Sequence, residues 1–181
     1  MAVASNSKIK IFSLLTRLYI LVIRGTPLLL QIIFVYFAPY YLFGLNYDRF
    51  VAVVLAFVIN YAAYFAEIFR SGMESIPVGQ SEAAFTLGMS KAQTFFRILL
   101  PQIIKRILPA LSNEIMSLIK TTSLAQTIGV TEIFALAQKQ ASFRFSIIPL
   151  CVAAVIYLAL CTLITIVFNQ LEKRLDYYKI I

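Results

Sequence analysis

Residues 145–168 read FSIIPLCVAAVIYLALCTLITIVF, and none of them carries a charge. A hydrocarbon core of about 30 Å takes roughly 20 helical residues at about 1.5 Å each. This run meets that length without interruption and reads as a membrane-spanning helix, which sets the solvent for the rest of the chain. The composition agrees: of 181 residues, 61% are hydrophobic and 13% charged, with a mean hydropathy of +0.86. A soluble domain carries about 25% charged residues. So much apolar surface cannot be hidden inside one globule of this size, because much of its area stays exposed. One domain is expected from the length.

Upstream lie three further runs. Residues 27–43 hold one strongly polar residue, Gln31, and open on Arg24-Gly25-Thr26-Pro27. There Thr26 is placed to cap the first turn, and Pro27 sits where no amide hydrogen is missed. Residues 50–69 carry Asn60 inside and Glu67 near their end. Residues 107–128 are less apolar, with Asn113, Glu114, Ser117, Lys120 and Thr121 among their polar members. Such a run must turn a polar face toward protein or a water-filled path. Residues 130–143 are too short and too polar to span, and predict an interfacial helix on the far side. Residues 11–23 are interrupted by Arg17 and bounded by Arg24, as in a helix lying at the headgroups, and no small-residue cleavage site follows. The expected fold is all-α: an integral membrane helical bundle of about four transmembrane helices, plus interfacial helices and a helix-turn-helix loop on the cytoplasmic side. It divides into an N-terminal segment (1–23), a membrane domain (24–168) and a tail (169–181).

The formal net charge is +8, but the basic residues gather at the ends of apolar runs rather than in one solvated patch. That pattern speaks against a nucleic-acid partner and for anchoring at the membrane surface. Twelve of the 16 Lys and Arg residues fall on one face: four before residue 25, five between 70 and 106, and Lys173, Arg174 and Lys179 in the tail. The positive-inside rule makes that face cytoplasmic, and both termini with it. Tyr36, Tyr40, Tyr41 and Tyr47 near one interface, and Tyr177 and Tyr178 beyond the last span, fit an aromatic belt. Cys151 and Cys161 are ten residues apart on one run, about 15 Å along a helix, too far to bridge.

Between the second and third runs lies the loop with the most information. Residues 81–87 favour helix, Gly88 stands where a C-terminal cap needs a left-handed residue, and Ser90 with Gln93 forms a capping-box pattern that starts a second arm. Ala84, Phe85 and Leu87 on one arm, and Phe95, Phe96 and Leu99 on the other, make an amphipathic corner. It is too polar to cross a bilayer and too apolar to float free, so a cytoplasmic partner is expected.

Glu82-Ala83-Ala84, three residues, Gly88, nine residues, Ile98, one residue and Leu100-Pro101 resembles the EAA signature of the membrane subunits of bacterial binding-protein-dependent ABC importers. A lone Glu82 would be an ordinary solvated residue; the full spacing is what is specific. Residues 23–31, 108–114, 120–124 and 128–132 look like the polar amino-acid branch of that family. Members of this branch have five spans, the first ahead of the Arg-Gly-Thr-Pro stretch, so that span is expected to be missing here.

The resemblance implies a permease subunit of the bacterial inner membrane that moves polar amino acids by alternating access. Glu82, Ala83, Ala84, Gly88, Ile98, Leu100 and Pro101 would form its coupling loop. The implied partners are two ABC ATPase subunits, a second permease subunit (identical or paralogous), an extracytoplasmic solute-binding protein, the amino-acid substrate and lipid. The chain itself shows no Gly-x4-Gly-Lys-Ser/Thr loop, no histidine and no paired thiols. It is therefore expected to be no enzyme and to carry no cofactor or metal, with ATP hydrolysis on a separate subunit. Gln31, Asn113, Glu114, Ser117, Lys120 and Thr121 are candidates for the substrate path. Glu114 and Lys120 stand about 120° apart around a helix and do not pair with each other. Glu114 either faces substrate or pairs with a nearby arginine such as Arg106. Rival readings are the same importer class with another small solute, and an ion-coupled secondary carrier.

Overall fold

The computed structural model describes residues 10–175, and every regular element among them is helical. The expectations for Lys8, Tyr177, Tyr178, Lys179 and both termini lie outside the described residues. Helix α1 (Lys10–Gly25) has an amphipathic pattern: Ile20 packs against Ala63 and Ala66, while Leu14, Leu18 and Leu21 stay exposed.

Helix α2 (Leu28–Phe43) leaves α1 at an angle of 108°. The break has a local cause. Pro27 lacks an amide hydrogen and pushes Thr26 out of the helical region. The carbonyls freed at the end of α1 are then claimed by side chains. The Thr26 hydroxyl donates to the Val22 carbonyl at 2.9 Å. Gln31 Nε2 donates to the Ile23 carbonyl at 2.8 Å and to Thr26 Oγ1 at 2.8 Å. Thr26 therefore does not cap α2 as expected; Pro27 takes the cap position without a side-chain bond, and the hydroxyl is spent on the bend.

Helix α3 (Arg49–Glu74) starts at Asp48, whose carboxylate accepts from the amides of Phe50 (2.8 Å) and Val51 (3.1 Å). Its buried positions are mostly small: Ala52, Ala56, Ala63, Ala66 and Gly72. Small residues let helices approach closely where lipid offers no hydrophobic drive for association. Ala52, Val53 and Ala56 meet Ile32 of α2 and, further on, Ala125 and Ile128.

After α4 (Gly79–Thr86) and α5 (Lys91–Gln93), a π-helical stretch (Thr94–Leu99) leads into α6 (Leu100–Thr121). At the junction the Leu100 amide reaches the Phe95 carbonyl. This wider turn relieves the Arg97 carbonyl, which the ring of Pro101 would otherwise crowd. The expected helix over 107–128 ends early. Thr121, Thr122 and Ser123 turn their hydroxyls back onto carbonyls of the preceding turn. That competes with the α-helical ladder, and the chain continues as a 3₁₀ segment (Thr122–Ile128) up to Gly129 at φ +80°.

The interfacial helix expected over 130–143 is α7 (Ile133–Arg144). Glu132 caps it, accepting from the amides of Phe134 (2.7 Å) and Ala135, and its other contact is the Tyr157 hydroxyl at 3.0 Å. Tyr157 belongs to α8 (Ile148–Leu175), which packs on α6 and α7 and buries Ala153.

Among the described residues two helices, α3 and α8, are long and apolar enough to cross a membrane; the bent pair α1–α2 makes a third when taken together. The other two expected crossings fall short for different reasons. Alone, α2 has 16 residues, about 24 Å of helix. By contrast α6 is 22 residues long, but polar and basic side chains interrupt it.

Candidate functional site

The corner between α3 and α6 is built from caps. The Gly88 amide bonds the Phe85 carbonyl at 2.9 Å and the Met89 amide the Ala84 carbonyl at 3.1 Å, closing α4 with a left-handed glycine at φ +74°. Nothing lies within 4 Å of where a Cβ on Gly88 would sit, so backbone conformation alone calls for glycine. The expected capping box is present: Ser90 Oγ accepts from the Gln93 amide at 3.3 Å, and Gln93 Oε1 from the Ser90 amide at 2.9 Å. Gln102 Nε2 ties the two arms by donating to Gln80 Oε1 (3.3 Å) and to the Ile98 carbonyl (3.0 Å).

Of the residues expected to form the loop, Ala84 is buried, Ile98, Leu100 and Pro101 are half-buried, and Glu82, Ala83 and Gly88 are exposed. Around them Val78, Phe85, Leu87 and Phe96 stand out: Phe85 and Leu87 are 79% and 80% exposed. Large apolar side chains this bare, at the tip of a polar corner, are the kind of surface that a partner covers.

A second feature lies where the α1–α2 break faces α3 and α6. A cleft of about 420 Å³ is lined by Arg24 and Thr26 from the break, Asn60, Tyr61 and Tyr64 from α3, and Glu114, Ser117 and Thr121 from α6. The three α6 residues recur at spacings of three and four and so share a face. The Tyr61 and Thr121 hydroxyls meet at 2.7 Å, and Asn60 Nδ2 donates to Gln31 Oε1 at 2.9 Å. Thus Glu114, Ser117 and Thr121 come together as a lining. Gln31 braces the wall behind them, its amide occupied by the break and by Asn60. Asn113 and Lys120 do not join them; both are exposed on a neighbouring face of α6.

Glu114 does not take Arg106, which donates instead to the Ser75 carbonyl. The basic residue that lines the cleft beside Glu114 is Arg24. Its Nη1 lies 3.5 Å from Glu67 Oε1 and its Cζ 5.4 Å from the Tyr64 ring centroid. Glu67 is held more tightly by Arg70, through Nη2 at 2.6 Å and Nε at 2.9 Å. Two further clefts open beside this cluster. One, of about 600 Å³, includes Arg17, Ile20, Glu67 and Arg70; the other, of about 450 Å³, includes Glu67, Gly72, Ser75 and Arg106. Sequence reasoning missed Arg24, Asn60, Tyr61 and Tyr64 as lining residues. The available signals were an Asn inside an apolar run and an arginine just ahead of a helix break.

Comparison with known proteins gives a consistent result. The family described as "Binding-protein-dependent transport system inner membrane component" matches over residues 1–177. The L-cystine transport system permease protein TcyB of Bacillus subtilis (strain 168) is 40% identical over 179 residues, covering 98% of this chain and 76% of TcyB. The arginine transport system permease protein ArtQ of the same organism is 37% identical over 158 residues, covering 87% of this chain and 72% of ArtQ. Among solved structures, an amino acid ABC transporter crystallised with histidines superposes with a TM-score of 0.86 at 37% identity, over 96% of this chain and 81% of that one. The MetNI methionine ABC transporter, in an inward-facing form, shares the fold with a TM-score of 0.72 at 15% identity, over 96% of this chain and 78% of that one.

Proposed function

We propose that this chain, which belongs to the binding-protein-dependent transport system inner membrane components, is the permease subunit of an ATP-driven importer for polar amino acids. The family membership supplies the class. The substrate reading is supported by TcyB, ArtQ and the amino acid ABC transporter, which are similar to this chain at 37–40% identity.

The observation that carries the coupling reading is the corner. It has a backbone fixed by Gly88 and by the Ser90–Gln93 box, and a bare apolar tip of Val78, Phe85, Leu87 and Phe96. In this reading the tip seats on a separate ATPase subunit on the cytoplasmic side, with Glu82, Ala83, Ala84, Gly88, Ile98, Leu100 and Pro101 giving the corner its shape. Two ATPases and a second permease complete the assembly, and an extracytoplasmic binding protein delivers the solute. The chain performs no hydrolysis. It alternates between outward- and inward-open forms, and its cleft with Glu114, Ser117 and Thr121 offers charge and hydroxyls to a zwitterion on its way through.

Uptake in vesicles that contain the ATPase and the binding protein tests this reading. Gly88→Asp puts a Cβ and a carboxylate on a left-handed cap, so ATP-dependent uptake collapses while membrane insertion persists. Gly88→Asn keeps more activity, because Asn is the usual alternative to glycine at such a cap and brings no charge. Uptake that needs no ATP, or that survives Gly88→Asp unchanged, refutes the coupling role.

A further inference from the structure

Arg24 lies one residue before the end of α1 and lines each of the three clefts described above. Glu67 lines the two beside the far end of α3 but not the one that holds Glu114, Ser117 and Thr121. The Arg24–Glu67 contact therefore stands at the junction between the cleft among the helices and the two beside it.

The hold on Arg24 is uneven. Arg70 grips Glu67 with two nitrogens at 2.6 and 2.9 Å, whereas Arg24 reaches the same carboxylate with one nitrogen at 3.5 Å. The Tyr64 ring, 5.4 Å away, supports the guanidinium from one side without using its hydrogens. A guanidinium keeps its charge and fits a carboxylate best through two parallel N–H bonds. Arg24 has that capacity unspent, because its present partner is shared with a stronger competitor. Any carboxylate that arrives through the cleft offers a better partner than the remaining place on Glu67.

We propose that Arg24 receives the carboxylate of the transported amino acid as it leaves the α2–α3–α6 cleft for the cytoplasm, exchanging Glu67 for it. Arg24 is then a specificity residue that favours solutes bearing a carboxylate. This rests on the amino-acid reading above.

The test uses the complete importer, with its ATPase and binding protein, reconstituted in vesicles. L-cystine, L-arginine and L-glutamine serve as probes, and uptake and ATP hydrolysis are measured on the same preparation. Wild-type uptake of none of the three removes the amino-acid reading itself. With wild-type uptake in hand, Arg24→Gln is expected to lower uptake by about 10- to 100-fold, the range for one lost charged hydrogen-bond partner. Hydrolysis stimulated by the binding protein stays at the wild-type level. Arg24→Lys restores part of the uptake, since an ammonium keeps the charge but not the paired geometry. Normal uptake by Arg24→Gln overturns the proposal. An equal loss of uptake and hydrolysis also overturns it, and makes Arg24 a strut. Should Arg24→Gln fail to assemble with the ATPase, Arg24→Lys decides alone: reduced uptake with hydrolysis kept supports the exchange, and unchanged uptake refutes it.

Discussion

At Gly72, α3 touches α6 so closely that an added Cβ would lie 2.2 Å from Ile107 Cγ2 and 3.4 Å from Ile103 Cγ2. Ile107 is 3% exposed and β-branched within a helix, so its γ-methyl has no free rotamer to swing into. Gly72→Ala thus forces the two helices apart at one point. Overpacking of this kind costs about 1–3 kcal/mol, and a 2.2 Å approach belongs at the upper end. Alanine returns about 1 kcal/mol of helix propensity, which leaves a net loss of about 2 kcal/mol. For a chain of this size, that lowers the melting temperature by about 4–8 °C.

Tyrosine fluorescence of the detergent-purified protein can follow the transition, since the chain has ten Tyr and no Trp. The rescue is the sharper measurement. Ile107→Leu moves the branch from Cβ to Cγ and deletes the offending methyl, so Gly72→Ala/Ile107→Leu melts above Gly72→Ala. Ile107→Val keeps Cγ2 and gives no rescue. A neutral Gly72→Ala, or rescue by valine equal to that by leucine, refutes the close-contact account.

Two other predictions concern the break and the topology. Gln31→Leu takes the acceptor from the buried Asn60 amide, at a cost of about 1–3 kcal/mol, and leaves the half-buried Ile23 carbonyl only the longer Thr26 hydroxyl contact. Gln31→Leu/Asn60→Leu recovers part of that loss in thermal unfolding, whereas additive losses would mean that the two amides act independently. In a background with Cys151 and Cys161 replaced by alanine, Leu87→Cys in intact cells is expected to be shielded from an impermeant maleimide, and Phe145→Cys to be labelled. Labelling of Leu87→Cys from outside would invert the cytoplasmic assignment of the corner.

Those features of the fold that rest on short-range chemistry were legible in the sequence. The α8 span follows from an uncharged run, and the corner from Gly88 and the Ser90–Gln93 spacing, each a cue confined to a few residues. Thr26 misled, because a hydroxyl next to a proline has two uses, capping forward or bonding backward, and Gln31 decides between them from five residues away. The early end of α6 is a similar competition, settled by three consecutive hydroxyls. At the cleft, Glu114, Ser117 and Thr121 could be grouped by helical spacing, since one helix carries all three. Arg24, Asn60 and Tyr64 could not, because they reach the cleft only through the pairing of α1, α3 and α6, which no local pattern encodes.

The buried side chains of α3 have a mechanical consequence. Toward α1, α2 and the 3₁₀ segment it offers mostly alanines, which raise low ridges, so shape locks little there and Val53 and the Asn60–Gln31 bond hold the register. At Gly72 the opposite holds: a methyl from Ile107 sits in the notch and pegs one end. Gly72 and Arg49 are 23 residues apart in one helix, about 35 Å. A small tilt of this helix about the Gly72 notch would therefore displace Asp48 and Arg49 most, where Arg49 lies against Gly129 and Tyr36.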